Sequence, residues 1–357
     1  MWQTLTTDYR RAGRAALAAV FGGTLALSAA LTALAYDGSF EGGGQVSGDA
    51  YTYAAAPYAV SYQDAVYEYA TGEDGKGYYT VYDGQAYSEW AGWDDQPADY
   101  QWEPVACVSG DWNYVFYAGT DGHLYWNGYD GAAWSGWEDV AGEYEFAYAP
   151  YAYEYDDAVH LYGAATDGNV YYKSYDGTEW TEWAAINDEY LAGAYQPYAV
   201  EWGDYDNVFW TGEDGKVYWN RYDGTEWTGA RDLPYEADEY EYAAAPYAIG
   251  YSEDDSLYAY AVSAYGVPYW NVFDGEAWTG WAAYEAEFPA TAQYQPSAYE
   301  YEGVQHLVVA ADDGHAYYTT YDGAYGEWED LGENYTYDPH QYAYGDGLYL
   351  TYTGTDG

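Results

Sequence analysis

The residues of this chain best suited to chemistry are aromatic side chains that recur at fixed intervals. One series falls in what we interpret as the third strand of a repeat and comprises Tyr79, Trp126, Tyr172, Trp219, Trp270 and Tyr318. A second series belongs to the following strand and contains pairs such as Trp134/Trp137, Trp180/Trp183 and Trp278/Trp281. Aromatic faces pack against the apolar side of a sugar ring while nearby acceptors bind its hydroxyls. We therefore predict ligand contacts at Trp126, Trp219, Trp270, Trp137, Trp183, Trp281, Trp90 and Trp328.

The same side chains have a structural interpretation. Repeated aromatics that lie between stacked units usually form the core between those units. Ala230 replaces the second tryptophan in its copy, so we expect that copy to tolerate the loss and to lack a ligand site.

Catalytic patterns are weak. The five histidines fall in different copies and share no metal-ligand spacing. No Gly-x-Ser-x-Gly or phosphate-binding loop occurs, and no loop has EF-hand spacing. A glycosidase would need two carboxylates in one pocket, which abundant acids could supply, and the only candidate interval contains Arg231 and Asp232. We predict a protein without catalytic residues, metal or cofactor.

The charge excludes some partners. Asp and Glu number 61 against 8 Lys and Arg, giving a formal charge of −53. Such a surface repels phosphate backbones and anionic lipid, so we expect neither nucleic acid nor an anionic membrane as partner. The acidity suits solubility of an aromatic-rich chain or a high-salt habitat. The single cysteine, Cys107, excludes an intramolecular disulfide.

The first residues resemble an export signal. Arg10, Arg11 and Arg14 precede an apolar, Ala- and Leu-rich run that extends from Ala15 to about Ala35. We predict a signal at residues 1–30, with the arginine pair suggesting twin-arginine export, and hence secretion. A retained membrane anchor is the alternative. Cleavage could follow Ala35 or Ala30, and we favour Ala30 because residues from Leu31 onward then remain available as a strand.

Three markers repeat in the same phase over the rest of the chain. Tyr-Asp-Gly, once Phe-Asp-Gly, places its Asp at positions 37, 83, 130, 176, 223, 274 and 322. A second glycine turn lies upstream of most copies, and prolines stand at 57, 104, 150, 197, 246, 296 and 339. The unit of about 47 residues fits four short strands joined by Asp-Gly turns of type I′. Such a unit cannot bury its own faces and must stack on its neighbours.

These repeats predict the architecture. We expect an all-β protein, a seven-bladed β-propeller of four-stranded antiparallel blades, over residues 31–357. The last copy stops at Asp356-Gly357 without its third and fourth strands, and residues 30–40 have the spacing of those missing strands. We therefore predict that an N-terminal strand closes the ring.

One stretch carries a family resemblance. Residues 121–140, DGHLYWNGYDGAAWSGWEDV, resemble a repeat of the Photorhabdus-type bacterial lectins. The resemblance implies a seven-bladed propeller that binds fucosylated or O-methylated sugars at several sites around the ring. Typical repeats of that family carry Arg or His in the third strand, where this chain mostly has Tyr, Asn or Thr. Fungal fucose-binding propellers are similar in outline, but no repeated Arg-Glu pair matches their sites.

Two functional hypotheses follow. The first is a secreted multivalent lectin, in which several weak sites on a rigid ring gain avidity on a dense glycan surface. The second is a structural or protein-interaction propeller at the cell exterior, in which the repeated aromatics are core. A glycosidase is the third and least supported option.

Overall fold

The computed structural model describes residues 31–36, 40–45, 52–187, 193–234, 241–333 and 335–354. The predicted export signal at residues 1–30 lies outside these ranges, so secretion and the cleavage position stay predictions. Within the described ranges, no helix has the length and apolar character needed to cross a membrane.

Six blades each consist of four consecutive strands, of which the first is innermost. The first three are blade 1, with β3 (Tyr58–Tyr62), β4 (Ala65–Thr71), β5 (Gly77–Tyr82) and β6 (Ala91–Gly92); blade 2, with β7 (Val105–Ser109), β8 (Trp112–Ala118), β9 (Leu124–Tyr129) and β10 (Glu138–Asp139); and blade 3, with β11 (Tyr151–Tyr155), β12 (Ala158–Ala164), β13 (Val170–Tyr175) and β14 (Ala184–Ala185).

The other three have the same plan. They are blade 4, with β15 (Tyr198–Trp202), β16 (Tyr205–Thr211), β17 (Val217–Tyr222) and β18 (Arg231–Asp232); blade 5, with β19 (Tyr247–Tyr251), β20 (Ser256–Val262), β21 (Pro268–Phe273) and β22 (Ala282–Ala283); and blade 6, with β23 (Ser297–Tyr301), β24 (Val304–Ala310), β25 (His315–Tyr321) and β26 (Glu329–Glu333). The predicted all-β class and the four-stranded antiparallel blades are confirmed.

The remaining sheet is different, and we call it the composite sheet. It joins β27 (Thr336–Tyr344) and β28 (Gly347–Thr353) to β1 (Leu31–Tyr36) and β2 (Phe40–Gln45), in the order β2-β1-β28-β27. Strand β1 pairs antiparallel with β28, from Leu31 opposite Thr353 to Ala35 opposite Tyr349. Strand β27 lies between β23 and β3, next to the innermost strands of blades 6 and 1.

The prediction of a seven-bladed propeller is therefore wrong in its blade count. Six blades, not seven, are continuous copies of the repeat, and the composite sheet is assembled from the two ends of the described chain. The error has a physical cause. The Tyr-Asp-Gly at 36–38 and the proline at 339 mark two half-units at opposite ends of the chain, and counting motifs cannot distinguish two halves from one continuous unit.

The glycine turns differ from the predicted type I′. At Asp167-Gly168 the N–H of Gly168 donates to the carbonyl of Ala165 at 3.0 Å, and Gly168 has φ +87°. Neither Thr166 nor Asp167 has a positive φ, so a type I turn is followed by a left-handed glycine. The Asp167 carboxylate accepts the N–H of Asn169 at 2.9 Å. This bond fixes the turn without a positive φ at Asp167, and the repeated aspartate is turn chemistry as expected.

Apolar clusters hold neighbouring blades together. A cluster with Phe116 and Val159 joins blades 2 and 3, and one with Phe209 and Leu257 joins blades 4 and 5. Cys107 is a free thiol within the first of these clusters. Packing of side chains between blades thus fixes the surface recesses where adjacent blades meet.

Candidate functional site

The predicted third-strand tryptophans lie between blades. Trp126 packs edge-to-face on Trp180 of the next blade, with ring centroids 5.4 Å apart. Trp219 packs in the same way on Trp278 at 5.2 Å, and Trp270 packs on Tyr325 at 5.3 Å. Because each ring is wedged against the following blade, most of its surface serves the core between blades.

The predicted fourth-strand tryptophans lie on the other side of their blades. Trp137 packs against Tyr117 and Trp183 against Phe146, and the Trp183 indole donates to the Val140 carbonyl at 2.8 Å. The remaining three, Trp90, Trp281 and Trp328, make equivalent contacts with Tyr53, Tyr242 and Phe288. The structure therefore distributes the eight predicted residues around the ring and does not gather them into one site.

The recess between blades 4 and 5 contains Arg221, which was not among the predicted ligand residues. The Arg221 guanidinium lies 4.5 Å from the ring centroid of Tyr205, 4.7 Å from that of Trp219 and 5.5 Å from that of Phe273. We call this group, together with Trp202, the Arg221 recess. Trp202 contacts Phe273 edge-to-face at 5.5 Å and extends the aromatic wall.

Strand geometry places these groups together. Trp219 and Arg221 are two residues apart on β17, so their side chains point to the same face of the sheet. Phe273 ends β21 of the next blade and faces them across the interface. The recess thus takes side chains from two blades and depends on their packing.

Asn207 fixes the ring on which Arg221 stacks. The Trp219 indole donates to the Asn207 side-chain oxygen at 3.2 Å, and the Asn207 amide nitrogen donates to the backbone carbonyl of Tyr205 at 3.0 Å. By contrast, the buried indole N–H groups of Trp126 and Trp270 have no hydrogen-bond partner. Of the three tryptophans in the third-strand series, Trp219 is therefore the one whose indole is held by a hydrogen bond.

The Arg221 side chain has no acidic partner. Among the described residues, no carboxylate lies within ion-pair distance of its guanidinium, although the chain contains 61 acids. Its Nε is buried and makes no hydrogen bond. Burial lowers the pKa of Arg221, but an arginine stays charged in proteins. The result is a fixed, half-buried set of donors on an aromatic platform that can bind hydroxyl or other oxygen acceptors of a ligand.

Arg221 occupies a position at which no other blade has a basic residue. The residue before the tyrosine of Tyr-Asp-Gly, which is Arg221 in blade 4, is Val81, Gly128, Ser174, Val272 or Thr320 in the other blades. The sequence did contain a signal for Arg221. Only five basic residues follow residue 35, so each could have been considered as a candidate ligand-binding residue.

Comparison with known proteins supports the fold alone. No protein-family model matches the sequence, and a search of curated proteins found no match. Among solved structures, the chain is similar to the BP39L lectin from Burkholderia pseudomallei, with 13% identity, a TM-score of 0.71, and coverage of 85% of this chain and 94% of that one.

Two further lectins have the same general architecture. SapL1 lectin, solved with alpha methyl fucoside, is 16% identical with a TM-score of 0.52, covering 79% of this chain and 97% of that one. The Aleuria aurantia lectin, described as a six-bladed β-propeller with a novel fucose recognition mode, is 13% identical with a TM-score of 0.52, covering 78% and 94%. By its fold, this chain resembles β-propeller lectins.

Proposed function

We propose that this protein is a lectin that binds carbohydrate without catalysis, and that the Arg221 recess is a sugar-binding site. The observation that carries the proposal is a guanidinium held between aromatic rings of two blades with no acidic partner. Aromatic faces bind the apolar side of a sugar, and a charged donor binds its hydroxyls or ring oxygen. Both requirements are met at one place on the surface.

The proposed sugar class is neutral and fucose-like. The structural neighbours include a lectin bound to alpha methyl fucoside and a fucose-specific lectin from Aleuria aurantia. A methylated sugar such as fucose offers an apolar patch to the half-buried rings of Tyr205 and Trp202 and leaves its hydroxyls for Arg221. The formal charge of −53 disfavours anionic glycans at long range. The resemblance to Photorhabdus-type lectins adds O-methylated sugars to this proposal.

The number of sites stays a prediction. Arg221 lies between blades 4 and 5, and Lys173 lies between blades 2 and 3 over the rings of Trp180 and Trp183. Lys173 is buried and its ammonium donates to the Val140 carbonyl at 3.2 Å, so the blade interfaces are not equivalent sites. The stoichiometry of sugar binding measures their number. We also propose that the protein is secreted, and this part of the proposal rests on the export signal predicted at residues 1–30.

A glycan array followed by isothermal titration calorimetry tests the function. We expect the full chain to bind a fucosylated or O-methylated glycan on the array. Arg221→Ala should weaken that binding by at least about tenfold, because a charge-assisted hydrogen bond contributes about 1.5–3 kcal/mol. Arg231→Ala removes an exposed cation on the neighbouring strand β18 and should change affinity less than about twofold.

Two results would count against the proposal. A folded protein that binds no fucosylated, galactosylated or methylated glycan would favour the structural or protein-interaction propeller, in which the buried aromatics serve only the core. A wild-type affinity in Arg221→Ala would retain the lectin but exclude the Arg221 recess as its site.

A further inference from the structure

A second candidate site lies on the propeller axis, away from the Arg221 recess. The residues that precede the repeated prolines surround the axis and line a cavity of about 200 Å³. Glu103, Gln196, Gln295 and Asp338 line this cavity and also the narrower cavity next to it. We call the larger cavity the axial vestibule.

Aromatic rings form part of the vestibule wall. Trp102 and Tyr148 have ring centroids 6.0 Å apart, and Tyr148 and Tyr195 have centroids 6.1 Å apart. Tyr294 lines the same cavity. The buried indole N–H of Trp102 has no hydrogen-bond partner. The wall is thus a curved aromatic surface contributed by successive blades.

Two carboxyl groups complete the lining. Burial raises the pKa of Asp338, and the charge of Glu103 raises it further. Burial also raises the pKa of Glu103. Among the described residues, no Lys, Arg or His forms an ion pair with either carboxyl group. Because no described basic side chain pairs with them, the two carboxyl groups resist ionisation on their own, and a bound cation would favour their charged form.

The two glutamines are held in place by the backbone. The Gln196 side-chain amide donates to the Pro150 carbonyl at 2.7 Å, and that of Gln295 donates to the Pro246 carbonyl at 2.7 Å. The backbone N–H of Gln295 donates to Asp338 at 2.6 Å. These bonds fix the side chains around the axis before any ligand binds.

We propose that the axial vestibule binds a small organic ammonium ion whose charged nitrogen lies beside Glu103 and Asp338. Its carbon substituents would lie against the rings of Trp102, Tyr148 and Tyr195. Aromatic faces attract alkylammonium ions through cation–π interactions, and the attraction increases when the ion is desolvated. The acidic surface of the whole protein also raises the local concentration of cations.

Size and chemistry favour this ligand over others. A cavity of about 200 Å³ is smaller than the 300–1,000 Å³ that usually accommodates drug-sized molecules, so an oligosaccharide would not fit. The described residues contain no group of three His, Cys, Asp or Glu side chains that could hold a metal ion. An aromatic wall adds little to the binding of a hydrated metal ion but suits methyl or methylene groups.

Calorimetric titration of the full chain with tetramethylammonium chloride, at matched ionic strength against sodium chloride, tests the proposal. We expect saturable binding of tetramethylammonium with one ion per chain. Glu103→Gln with Asp338→Asn should weaken it at least about tenfold, because neither amide can ionise to attract the nitrogen. Trp102→Ala should weaken it about fivefold by removing one aromatic face.

The matched control separates this site from general attraction to an acidic protein. Glu276→Gln with Asp312→Asn neutralises two exposed acids elsewhere and should leave affinity within about twofold. Equal weakening in the control, or equal binding of sodium, would overturn the proposal. If near-ultraviolet circular dichroism shows that the double variant is unfolded, Glu103→Gln and Trp102→Ala decide, and unchanged affinity in both would overturn it.

Discussion

Two interfaces between neighbouring blades use equivalent backbone positions but differ in their side chains, since one is apolar and the other is polar. Between blades 4 and 5, Phe209 of β16 and Leu257 of β20 are fully buried in one apolar cluster. Between blades 3 and 4, the equivalent positions are Tyr162 of β12 and Asp206 of β16, and the Tyr162 hydroxyl donates to the Asp206 carboxylate. The same backbone positions therefore accept either an apolar pair or a hydrogen-bonded polar pair.

The polar interface extends beyond this pair. The Asp206 carboxylate is fully buried, lies 2.7 Å from Nδ1 of His160 and accepts the Tyr153 hydroxyl at 2.7 Å. Nε2 of His160 lies 3.4 Å from the Tyr172 hydroxyl. A buried carboxylate is tolerated only when several donors satisfy it, so this interface depends on all its members at once.

The two chemistries alternate around the six blades. Tyr69 is hydrogen-bonded to Asn113 between blades 1 and 2, and Tyr260 to Gln305 between blades 5 and 6. The intervening interfaces are apolar, as with Phe116 and Val159 between blades 2 and 3. The six blades thus form three polar-linked pairs, and the repeat has a two-blade alternation as well as its one-blade period.

The largest expected effect comes from breaking the polar interface. Asp206→Ala leaves His160, Tyr153 and Tyr162 without their shared acceptor, and we expect the free energy of unfolding to fall by about 3–5 kcal/mol. Chemical denaturation followed by tryptophan fluorescence measures the change. A loss below about 1 kcal/mol would show that the network contributes little.

A compensating variant sharpens the same prediction. Asp206→Leu with Tyr162→Phe and His160→Tyr copies residue types found at the equivalent positions of the apolar interfaces, and should recover stability to within about 1.5 kcal/mol of the native protein. Recovery would show that the polar network is replaceable by packing, whereas no recovery would show that the two interfaces differ in backbone geometry as well as in side chains.

The next effect concerns the interface between the composite sheet and blade 1. Glu68 is fully buried, one of its oxygens accepts the Tyr87 hydroxyl at 2.7 Å, and the other has no partner. Burial raises the pKa of Glu68 to about 7. The folded protein binds this proton more tightly than the unfolded chain does. The contribution of Glu68 to the free energy of unfolding is therefore fully present below about pH 4.5, and about 3 kcal/mol is lost as the pH rises through 7.

Denaturation at several pH values between 4.5 and 8.5 checks this dependence. Glu68→Gln removes the titrating group, so the stability of that variant should decline less across the range than that of the native protein. Glu89→Gln changes an exposed acid and should keep the native pH dependence. Identical profiles for Glu68→Gln and the native protein would refute the assignment to Glu68.

The smallest effect is expected at a single neutral hydrogen bond. The Asn113 amide donates to the Tyr69 hydroxyl at 2.8 Å in the polar interface of blades 1 and 2. Tyr69→Phe should cost about 1–2 kcal/mol, because it leaves a buried donor unsatisfied. Tyr265→Phe removes a hydroxyl from a side chain that is 78% exposed and should have no measurable effect. Equal stabilities of the two variants would contradict the contribution of this bond.

Much of the fold was predictable because its markers are local. The strand alternation and the Asp-Gly turns depend on residues close in sequence, so the four-stranded blade could be inferred from one copy. The turn type was mispredicted, since the Asp167 carboxylate stabilises a turn in which only the glycine needs a left-handed conformation. The blade count was mispredicted because it depends on how the two chain ends meet.

The candidate site was predictable only in part. Trp219 was among the predicted ligand residues, but Arg221 was not, although both lie on β17. Their partner Phe273 comes from the next blade, 52 residues further along the chain than Arg221. A pattern among residues close in sequence does not predict a contact across such an interface. The axial vestibule was missed for the same reason, because its lining comes from a few residues of each of several copies.

The repeating unit, its strands, the positions of its turns and the acidity of the surface were evident in the sequence, because these follow from periodicity and composition. The contacts between blades, by contrast, set which aromatics became core, which rings surround Arg221, and which carboxyl groups meet on the axis. Those outcomes depend on packing between segments that are far apart in the sequence, so the sequence of one segment does not predict them.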